Sequence, residues 1–237
     1  MLNETEKNIL ERSASQGWVL EPDSKRLLSS AGLTIPRGIM TSDSERAAAF
    51  LAENGGPVVM KVVSPKVVHK SEFRGVVTCI TDEETLKKEF SRLHAIEGAV
   101  GVLVEETAPG IELILGAVND FQFGPVVLLG FGGTGVEIYR DSTMRMAPIE
   151  KETARSMLQE LKARPLLEGF RGAPPVDIEA LIQTVAQFSE FEIALGNLFD
   201  SIDINPLMCG TEGCTVADAR IILKSDEKLE HREQRDA

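Results

Sequence analysis

The sequence contains few of the residues that stabilise small secreted folds or bind metals through soft ligands. It has three cysteines and three histidines, and aromatic residues make up 5% of its 237 positions. An odd, small number of cysteines argues against a disulfide scaffold and favours a reducing compartment, so we expect a cytoplasmic protein. Cys209 and Cys214 flank a short turn, CGTEGC. Since no second pair exists elsewhere, they predict a hairpin with two small buried thiols rather than a metal knuckle.

Long apolar runs and an excess of basic charge are also missing. No run approaches the ~20 apolar residues of a membrane-spanning helix, and the polar N-terminus has no signal-peptide core. Lysine and arginine total 25 against 37 aspartates and glutamates, which gives a formal net charge of −12. This balance argues against nucleic-acid and membrane partners. It does not exclude a nucleotide, because salt screens distant charges beyond roughly 8 Å and a local basic cluster can prevail.

Helix-like and strand-like segments alternate along the sequence. Helices are predicted over 24–30, over 45–54 with Ser42 as the cap, and over 82–94, 150–163 and 178–193. Strands are predicted over 57–63, 75–80, 100–106, 111–118, 124–131, 199–207 and 214–223. Hairpin-length links between strands indicate antiparallel sheets with helices packed on them. Neither GxGxxG nor GxxxxGK[ST] occurs, so a phosphate site here must be built in another way.

Basic residues are concentrated in one short part of this acidic protein. Lys61, Lys66, His69, Lys70 and Arg74 place five basic groups within fourteen residues. Lys61 interrupts an apolar strand, where an unpaired ammonium is costly and a phosphate would remove the cost. The alternatives for Lys61 are an exposed strand position or a pairing with a core carboxylate. His69 has a nitrogen that can accept a phosphoryl group, but the alternative is an ordinary surface or structural histidine.

Two further segments have the composition of a ligand site. In VEETAPGIE, Glu105 and Glu106 end one strand and Glu112 begins the next, so one of the first two faces any cleft and the other faces away. Such a strand offers backbone groups to a purine edge and a carboxylate to ribose hydroxyls, and the alternative is a solvated hairpin. The segment 130–141, GFGGTGVEIYRD, is glycine-dense and permits close approach to a ligand or partner, or forms a turn without one.

A third segment combines oxygen donors on neighbouring strands. Asp203 and Asn205 in IDINPL are two residues apart on an extended segment and therefore share a face. Asp218 in VADARI belongs to the next strand and is expected opposite them. Two carboxylates and an amide oxygen suit Mg²⁺, which usually keeps waters and substrate phosphates as its other ligands. Pro206 is expected to end regular strand pairing directly after this site.

The order of these motifs resembles that of a known family. The blocks are VVMKVVSPKVVHKSEFRGVV, VLVEETAPGIELILG, FGPVVLLGFGGTGVEIYRD, MRMAPI, LEGFRGAPP and DINPLM followed by VADARI. Over about residues 18–224 the protein resembles the β subunit of ADP-forming acetate–CoA ligase and the matching segment of single-chain NDP-forming acyl-CoA synthetases. It is more distantly similar to the nucleotide-binding part of the succinyl-CoA synthetase β subunit.

The resemblance implies an α+β ATP-grasp fold, in which two lobes with mainly antiparallel sheets enclose a nucleotide cleft. Residues 1–17 would form an N-terminal extension, 18–224 the ATP-grasp domain, and 225–237 a polar tail that is a frayed helix or disordered. The smaller lobe is expected near 20–105.

The resemblance also implies roles for individual residues. For the nucleotide they are Lys61 at the phosphates, Glu105 and the backbone through Ala108 at the adenine, and Glu112 at the ribose. For Mg²⁺ they are Asn205 and Asp218, with Asp203 in or beside the metal shell. For catalysis they are Arg145, which would contact phosphate near the transfer site, and His69, which would relay a phosphoryl group from a partner subunit.

By the same resemblance, the protein would transfer a phosphoryl group between phosphohistidine and Mg-ADP or Mg-ATP, in acyl-CoA + ADP + phosphate = carboxylate + ATP + CoA. The CoA-binding and first phosphohistidine domains do not fit in 237 residues, so we expect an α subunit to carry them in a hetero-oligomer, which the family suggests is an α₂β₂ heterotetramer. Two alternatives stay open. One is a self-contained ATP-grasp ligase, and the other is a non-catalytic nucleotide-sensing module.

Overall fold

The computed structural model of the protein describes residues 2–67, 70–133 and 141–224. The protein divides into two compact units, one formed by Met1–Ile35 with Pro109–Ala237 and the other by Pro36–Ala108. Each unit has an antiparallel sheet and its own hydrophobic core, which confirms the predicted α+β architecture. Among the described residues, no helix has the length and apolar character needed to cross a membrane.

The regular elements follow the alternation seen in the sequence. The described helices are α1 (Glu4–Ala14), α2 (Glu21–Ser30), α3 (Ser44–Asn54), α4 (Glu83–His94), α5 (Lys151–Glu160) and α6 (Ile178–Leu195). The first strands are β1 (Trp18–Val19), β2 (Gly38–Thr41), β3 (Val58–Val63), β4 (Val76–Ile80), β5 (Gly101–Glu106) and β6 (Ile111–Asp120). The remaining described strands are β7 (Gly124–Phe131), β8 (Ser142–Met146), β9 (Phe199–Gly210), β10 (Gly213–Val216) and β11 (Ala219–Leu223).

The smaller unit, Pro36–Ala108, is a four-stranded sheet in the order β2-β5-β3-β4, with α3 and α4 contributing to its core. Asp43, rather than the predicted Ser42, caps α3, because its carboxylate accepts from the amide of Glu45 at 2.9 Å. Asp82 caps α4 in the same way, with the amide of Thr85 as donor at 2.8 Å. These carboxylates satisfy orphan amides and complement the positive ends of the two helices.

The larger unit contains a seven-stranded sheet in the order β1-β11-β9-β6-β7-β8, with β10 paired to β9. Alternate residues of its strands are buried, as Leu113, Leu115 and Ala117 of β6 show. They join one core with side chains from α1, α2, α5 and α6. The opposite face of the same strands is more open, since Val118 is 58% and Met144 59% exposed. Side chains on the open face are therefore the ones that a ligand can reach, whereas those on the other face pack in the core.

Residues 1–35 differ from the expectation based on the sequence. The smaller lobe was expected from near residue 20, but the segment up to Ile35 clusters with the larger unit. Helix α1 begins with a capping box between Asn3 and Glu6, and its Ile9 and Leu10 are buried in the core of the larger unit. The N-terminal segment is therefore an integral layer of that unit.

Strands β9 to β11 differ from prediction in three ways. Pro206 does not end the pairing, because β9 runs on to Gly210 with a bulge opposite β6 at this point. The segment predicted as one strand over 214–223 is two strands, β10 and β11, separated by Ala217 and Asp218. Cys209 and Cys214 face each other across the β9–β10 hairpin and are joined as a disulfide rather than left as thiols.

Glu192 of α6 is fully buried in the larger unit, and neither carboxylate oxygen has a hydrogen-bond partner among the described residues. Burial raises the pKa of this carboxyl group from 4.5 to about 9, because the charged form loses its hydration. Between those pKa values the folded protein holds a proton that the unfolded protein has released. The free energy of unfolding therefore falls as pH rises through this window, by up to about 1.4 kcal/mol per pH unit.

We predict that Glu192→Gln stabilises the protein more at pH 8 than at pH 6. The amide keeps the side-chain shape but has no proton to lose, so the pH-dependent cost disappears. Urea or thermal unfolding at the two pH values measures the effect. Glu190→Gln on the exposed side of the same helix is the matched control and should show no such difference. An equal increase in the free energy of unfolding at both pH values in Glu192→Gln would contradict the raised pKa of Glu192.

Candidate functional site

Lys61 and Glu105 form a buried ion pair in the sheet of the smaller unit. In the register, Lys61 of β3 is paired with Leu103 of β5 and Val59 with Glu105, so the two charged residues are diagonal neighbours on one face. Lys61 Nζ lies 3.1 Å from Glu105 Oε2, and the two side chains are only 7% and 4% exposed. Of the alternatives for Lys61, the structure shows the pairing with a core carboxylate. Two residues predicted to bind nucleotide thus contact each other.

The two glutamates that end β5 point to opposite faces, as the alternation predicts. Glu105 is buried, whereas Glu106 is half-exposed and accepts from the backbone amide of Arg37 at 3.0 Å. Gly38 lies directly opposite Glu105 on β2. A Cβ at Gly38 would lie 2.7 Å from Glu105 Cγ, so only glycine leaves room for the buried carboxylate. The immediate surroundings of Glu105 are therefore fixed by sterics as well as by charge.

Glu112 is the second residue of β6 in the larger unit, and its side chain is exposed. Its carbonyl oxygen accepts from the amide of Gly132 at 2.7 Å. A Cβ at Gly132 would lie 3.0 Å from the Glu112 backbone, and Gly133 has a φ of 79°. These two glycines allow the end of β7 to close on Glu112, which is a structural reason for their presence. Ala108 is half-buried and is the last residue of the smaller unit.

One row of paired residues crosses five strands on the more open face of the larger sheet. In an antiparallel sheet, directly paired residues project to the same face. From β8 to β11 the row is Met144, Leu128, Gly116, Asp203 and Arg220. Asp203 thus lies on the face away from the core, with glycine on one side and arginine on the other. Arg220 Nη2 lies 3.6 Å from Asp203 Oδ2.

The three predicted metal ligands lie at this face where β9 meets the start of β11. Ile202 and Ile204 are buried, whereas Asp203 is half-buried and Asn205 is exposed. Since Ile204 pairs with Ala219, Asp218 lies beside Asn205, and its carbonyl oxygen accepts from the Asn205 amide at 3.3 Å. The register agrees with the expectation that Asp203 and Asn205 share a face. Asp218 lies opposite Asn205, whereas the residue opposite Asp203 is Arg220.

The bulge and the connection between β10 and β11 hold these residues in place. The peptide bond between Asn205 and Pro206 is cis, and the Pro206 carbonyl oxygen accepts from the amides of Ala217 at 3.0 Å and Asp218 at 3.4 Å. Two carboxylates and an amide oxygen are hard donors of the kind that Mg²⁺ prefers. Among the described residues, no three His, Cys, Asp or Glu side chains form a metal cluster. The two carboxylates and the amide oxygen fit an ion that keeps waters or phosphates as further ligands.

Arg145 lies on the opposite face of the sheet from Asp203. The row through Arg145 continues with Val127, Ala117 and Ile202, which belong to the core-facing side. Its guanidinium contacts Glu160 at the end of α5 and donates to the carbonyl of Met144 at 2.8 Å. The structure therefore does not bring Arg145 together with the predicted metal ligands.

Lys25 is a residue of this region that the sequence did not single out. It forms a buried ion pair with Glu21 one turn earlier on α2, at 3.0 Å, with side chains 2% and 5% exposed. Its ammonium also donates to the carbonyl oxygen of Ala217 at 2.8 Å, directly before Asp218. The spacing of four residues between glutamate and lysine signals the pair. The link to Ala217 spans 192 residues of sequence and has no local signal.

Some predicted features lie outside the described residues. They are His69, Gly135 in the glycine-dense segment, and the polar tail over 225–237. The segment that follows His69 is described, and Lys70–Phe73 form a turn of 3-10 helix there.

We predict that Lys61→Met lowers the free energy of unfolding by about 3–5 kcal/mol, because it leaves the Glu105 carboxylate buried without this cation. The double variant Lys61→Met/Glu105→Leu should recover most of the loss, since it removes both charges. Chemical denaturation of the three proteins measures this coupling. The same cycle on the exposed pair Lys66–Glu97 of the same unit is the control and should show little coupling. A double variant no more stable than Lys61→Met would refute the pairing.

The sequence and the fold of this protein are similar to those of known proteins. A family profile described as an ATP-grasp domain matches residues 11–223. The β subunit of ADP-forming acetate–CoA ligase I from Pyrococcus furiosus is 38% identical over 226 residues, which cover 92% of this chain and 97% of the relative. ADP-forming acetate–CoA ligase II from Archaeoglobus fulgidus is 33% identical over 214 residues, which cover 90% of this chain and 31% of that longer protein.

A solved structure gives the same result in three dimensions. The dinucleotide-forming acetyl-coenzyme A synthetase 1 of Ca. Korarchaeum cryptofilum matches with a TM-score of 0.80 and 38% identity, over 92% of this chain and 100% of that chain. That protein was solved with coenzyme A and Mg-AMPPCP, its phosphohistidine segment pointing towards the nucleotide binding site. With this profile, this coverage and these two antiparallel sheets, the protein belongs to the ATP-grasp family and, within it, to the β subunits of ADP-forming acetate–CoA ligases.

Proposed function

We propose that this protein is the nucleotide-binding subunit of an ADP-forming acyl-CoA synthetase. It would transfer a phosphoryl group between phosphohistidine and Mg-ADP in the reaction acyl-CoA + ADP + phosphate = carboxylate + ATP + CoA. The observation that carries the proposal is the grouping of Asp203, Asn205 and Asp218 on one open face of a sheet in a protein that matches 97% of a ligase β subunit. A nucleotide-sensing module would bind Mg-nucleotide through the same oxygen donors but would transfer no phosphoryl group, so the turnover assay described below separates the two functions.

Asp203, Asn205 and Asp218 are assigned to the metal ion. Their side chains offer carboxylate and amide oxygens, and the backbone bonds of Pro206 and Asn205 keep the two strands in register there. A bound Mg²⁺ would neutralise phosphate charge and orient the reacting phosphates. The role of the protein residues is to hold the oxygens in place before the nucleotide arrives.

Lys61, Glu105, Ala108 and Glu112 are assigned to the nucleotide. Glu105 holds the ammonium of Lys61 at a fixed point of the smaller sheet, and we assign that ammonium to the nucleotide phosphates. Glu105 and the backbone through Ala108 are assigned to the adenine, and Glu112 to the ribose hydroxyls. The exposed carboxylate of Glu112 is suited to accept hydrogen bonds from hydroxyl groups.

His69 is assigned the phosphoryl relay. In the ATP-forming direction the bond between phosphorus and the imidazole nitrogen breaks, and a bond to the terminal phosphate oxygen of ADP forms. The electron pair of the broken bond returns to the imidazole nitrogen. Arg145 is left out of this proposal, because its guanidinium is paired with Glu160 on the core-facing side of the sheet.

An α subunit is assigned the CoA-binding and first phosphohistidine domains, in a hetero-oligomer with this protein. The relative from P. furiosus is named as a β subunit, which implies a partner subunit in that enzyme. The longer ligase from A. fulgidus is matched over only 31% of its length, so most of that protein lies outside the ATP-grasp segment.

The proposal is tested by mixing this protein with a purified candidate α subunit and measuring acyl-CoA-dependent ATP formation from ADP and phosphate. We expect activity only from the mixture, and we expect His69→Ala to abolish it. His94→Ala, at the exposed end of α4, is the matched histidine control and should keep wild-type turnover. Full turnover without the α subunit would overturn the two-subunit proposal, and full turnover by His69→Ala would overturn the relay.

The metal assignment has a separate test. We predict that Asp218→Asn weakens the binding of ADP in the presence of Mg²⁺ by about 10-fold or more, because one negative ligand is lost. Calorimetric titration at several Mg²⁺ concentrations measures the change. Glu212→Gln, an exposed carboxylate in the turn between β9 and β10, is the control. Unchanged affinity in Asp218→Asn would remove this residue from the metal site.

A further inference from the structure

Arg220 lies on the same open face as the proposed metal ligands. It is paired directly with Asp203 in the register of β11 and β9, and it follows Asp218 by two residues along an extended segment. Its side chain as a whole is 26% exposed, so Arg220 is mostly but not fully removed from solvent. We propose that Arg220 binds the phosphate oxygens of the nucleotide beside the metal ion, an inference that rests on the proposed function.

The guanidinium of Arg220 is incompletely satisfied by the described residues. Its Nη2 lies 3.6 Å from Asp203 Oδ2, which is an ion-pair distance but too long for a good hydrogen bond. Its Nε is buried and has no hydrogen-bond partner in the part of the protein that the structure describes. A buried N–H without an acceptor costs free energy, and a bound anion would supply that acceptor.

The neighbours of Asp203 leave space for such an anion. On the other side of Asp203 the register places Gly116, which has no side chain to cover the carboxylate. Within 4 Å, a Cβ at Gly116 would meet the carbonyl oxygen of Ile202 at 3.2 Å and no other group among the described residues. Leu128 and Met144 continue the row and contribute no competing charge.

The chemistry of arginine fits this position. Its planar guanidinium presents parallel N–H donors that match two oxygens of one phosphate. A cation held by Asp203 would share the carboxylate charge and so weaken its attraction for Arg220. Once the side chain turns away from Asp203, Nε and Nη2 would be able to donate together to two oxygens of the terminal phosphate of a nucleoside diphosphate. Arg220 would in this way bind the phosphate that reacts.

Two variants of Arg220 in the full-length protein test this assignment. Arg220→Gln should raise the Kd for Mg-ADP by about 10- to 100-fold, because a charge-assisted contact to phosphate is lost. The Kd for adenosine, which has no phosphate, should change less than about twofold. Arg220→Lys should recover part of the affinity for Mg-ADP. Arg155→Gln, which removes an exposed arginine of α5, is the control and should leave both Kd values unchanged.

The possible results separate this inference from the proposed function. If the wild-type protein fails to bind Mg-ADP, both are overturned. If wild type binds and Asp218→Asn weakens binding while Arg220→Gln does not, only the role of Arg220 is overturned. An equal loss for Mg-ADP and adenosine would show that Arg220 is structural and would also overturn it. Titration of Mn²⁺ without nucleotide gives an independent readout, in which Arg220→Gln should bind the ion no more weakly than wild type.

Discussion

The pairing of β9 with β6 on one side and β11 on the other is the constraint on which the rest of the larger unit depends. In a strand, successive side chains project to opposite faces, so a shift of one residue would exchange the buried and the open sets. With the observed register, Ile202 and Ile204 enter the core while Asp203 and Asn205 stay outside it. Ile204 and Leu207 are three residues apart, so in a regular strand they would project to opposite faces. The bulge at Pro206 adds one residue to β9, and Leu207 is therefore buried on the same side as Ile204.

The buried ionisable groups of the protein avoid an unpaired charge in two ways, by forming an ion pair or by keeping a proton. Lys61–Glu105 and Lys25–Glu21 are ion pairs whose members neutralise each other within the described residues, and each pair fixes a backbone segment that carries proposed ligands. Glu192 has no such partner there and instead keeps its proton. A buried pair costs desolvation that its attraction only partly offsets, so its value lies more in fixing geometry than in stabilising the fold. Lys25 illustrates this, since it contacts the backbone directly before Asp218.

Much of the fold could be predicted from the sequence, because its signals are local. The apolar alternation of the strands and the helical pattern over 82–94 are each visible within a few residues. The predictions that were wrong concern segments whose structure is decided by contacts with residues far away in the sequence. The continuation of β9 past Pro206 depends on pairing with β6, and the membership of α1 in the larger unit depends on a core contributed by distant residues. The cross-strand disulfide was likewise decided by register rather than by cysteine count.

Arg145 and Arg220, on two described strands of the larger sheet, show why a motif identifies a region but not always the residue. Arg145 belongs to a recognisable block, yet its pairing with Val127 directs it to the core-facing side, where Glu160 neutralises it. Arg220 is also in a block of the resemblance, but what singles it out is its register with Asp203. Adjacent residues of a strand project to opposite faces of the sheet, so a motif alone does not show which of two adjacent side chains lies on the open face. The pairing of residues across five strands does show it. This pairing places the guanidinium of Arg220 beside the proposed metal ligands on the open face.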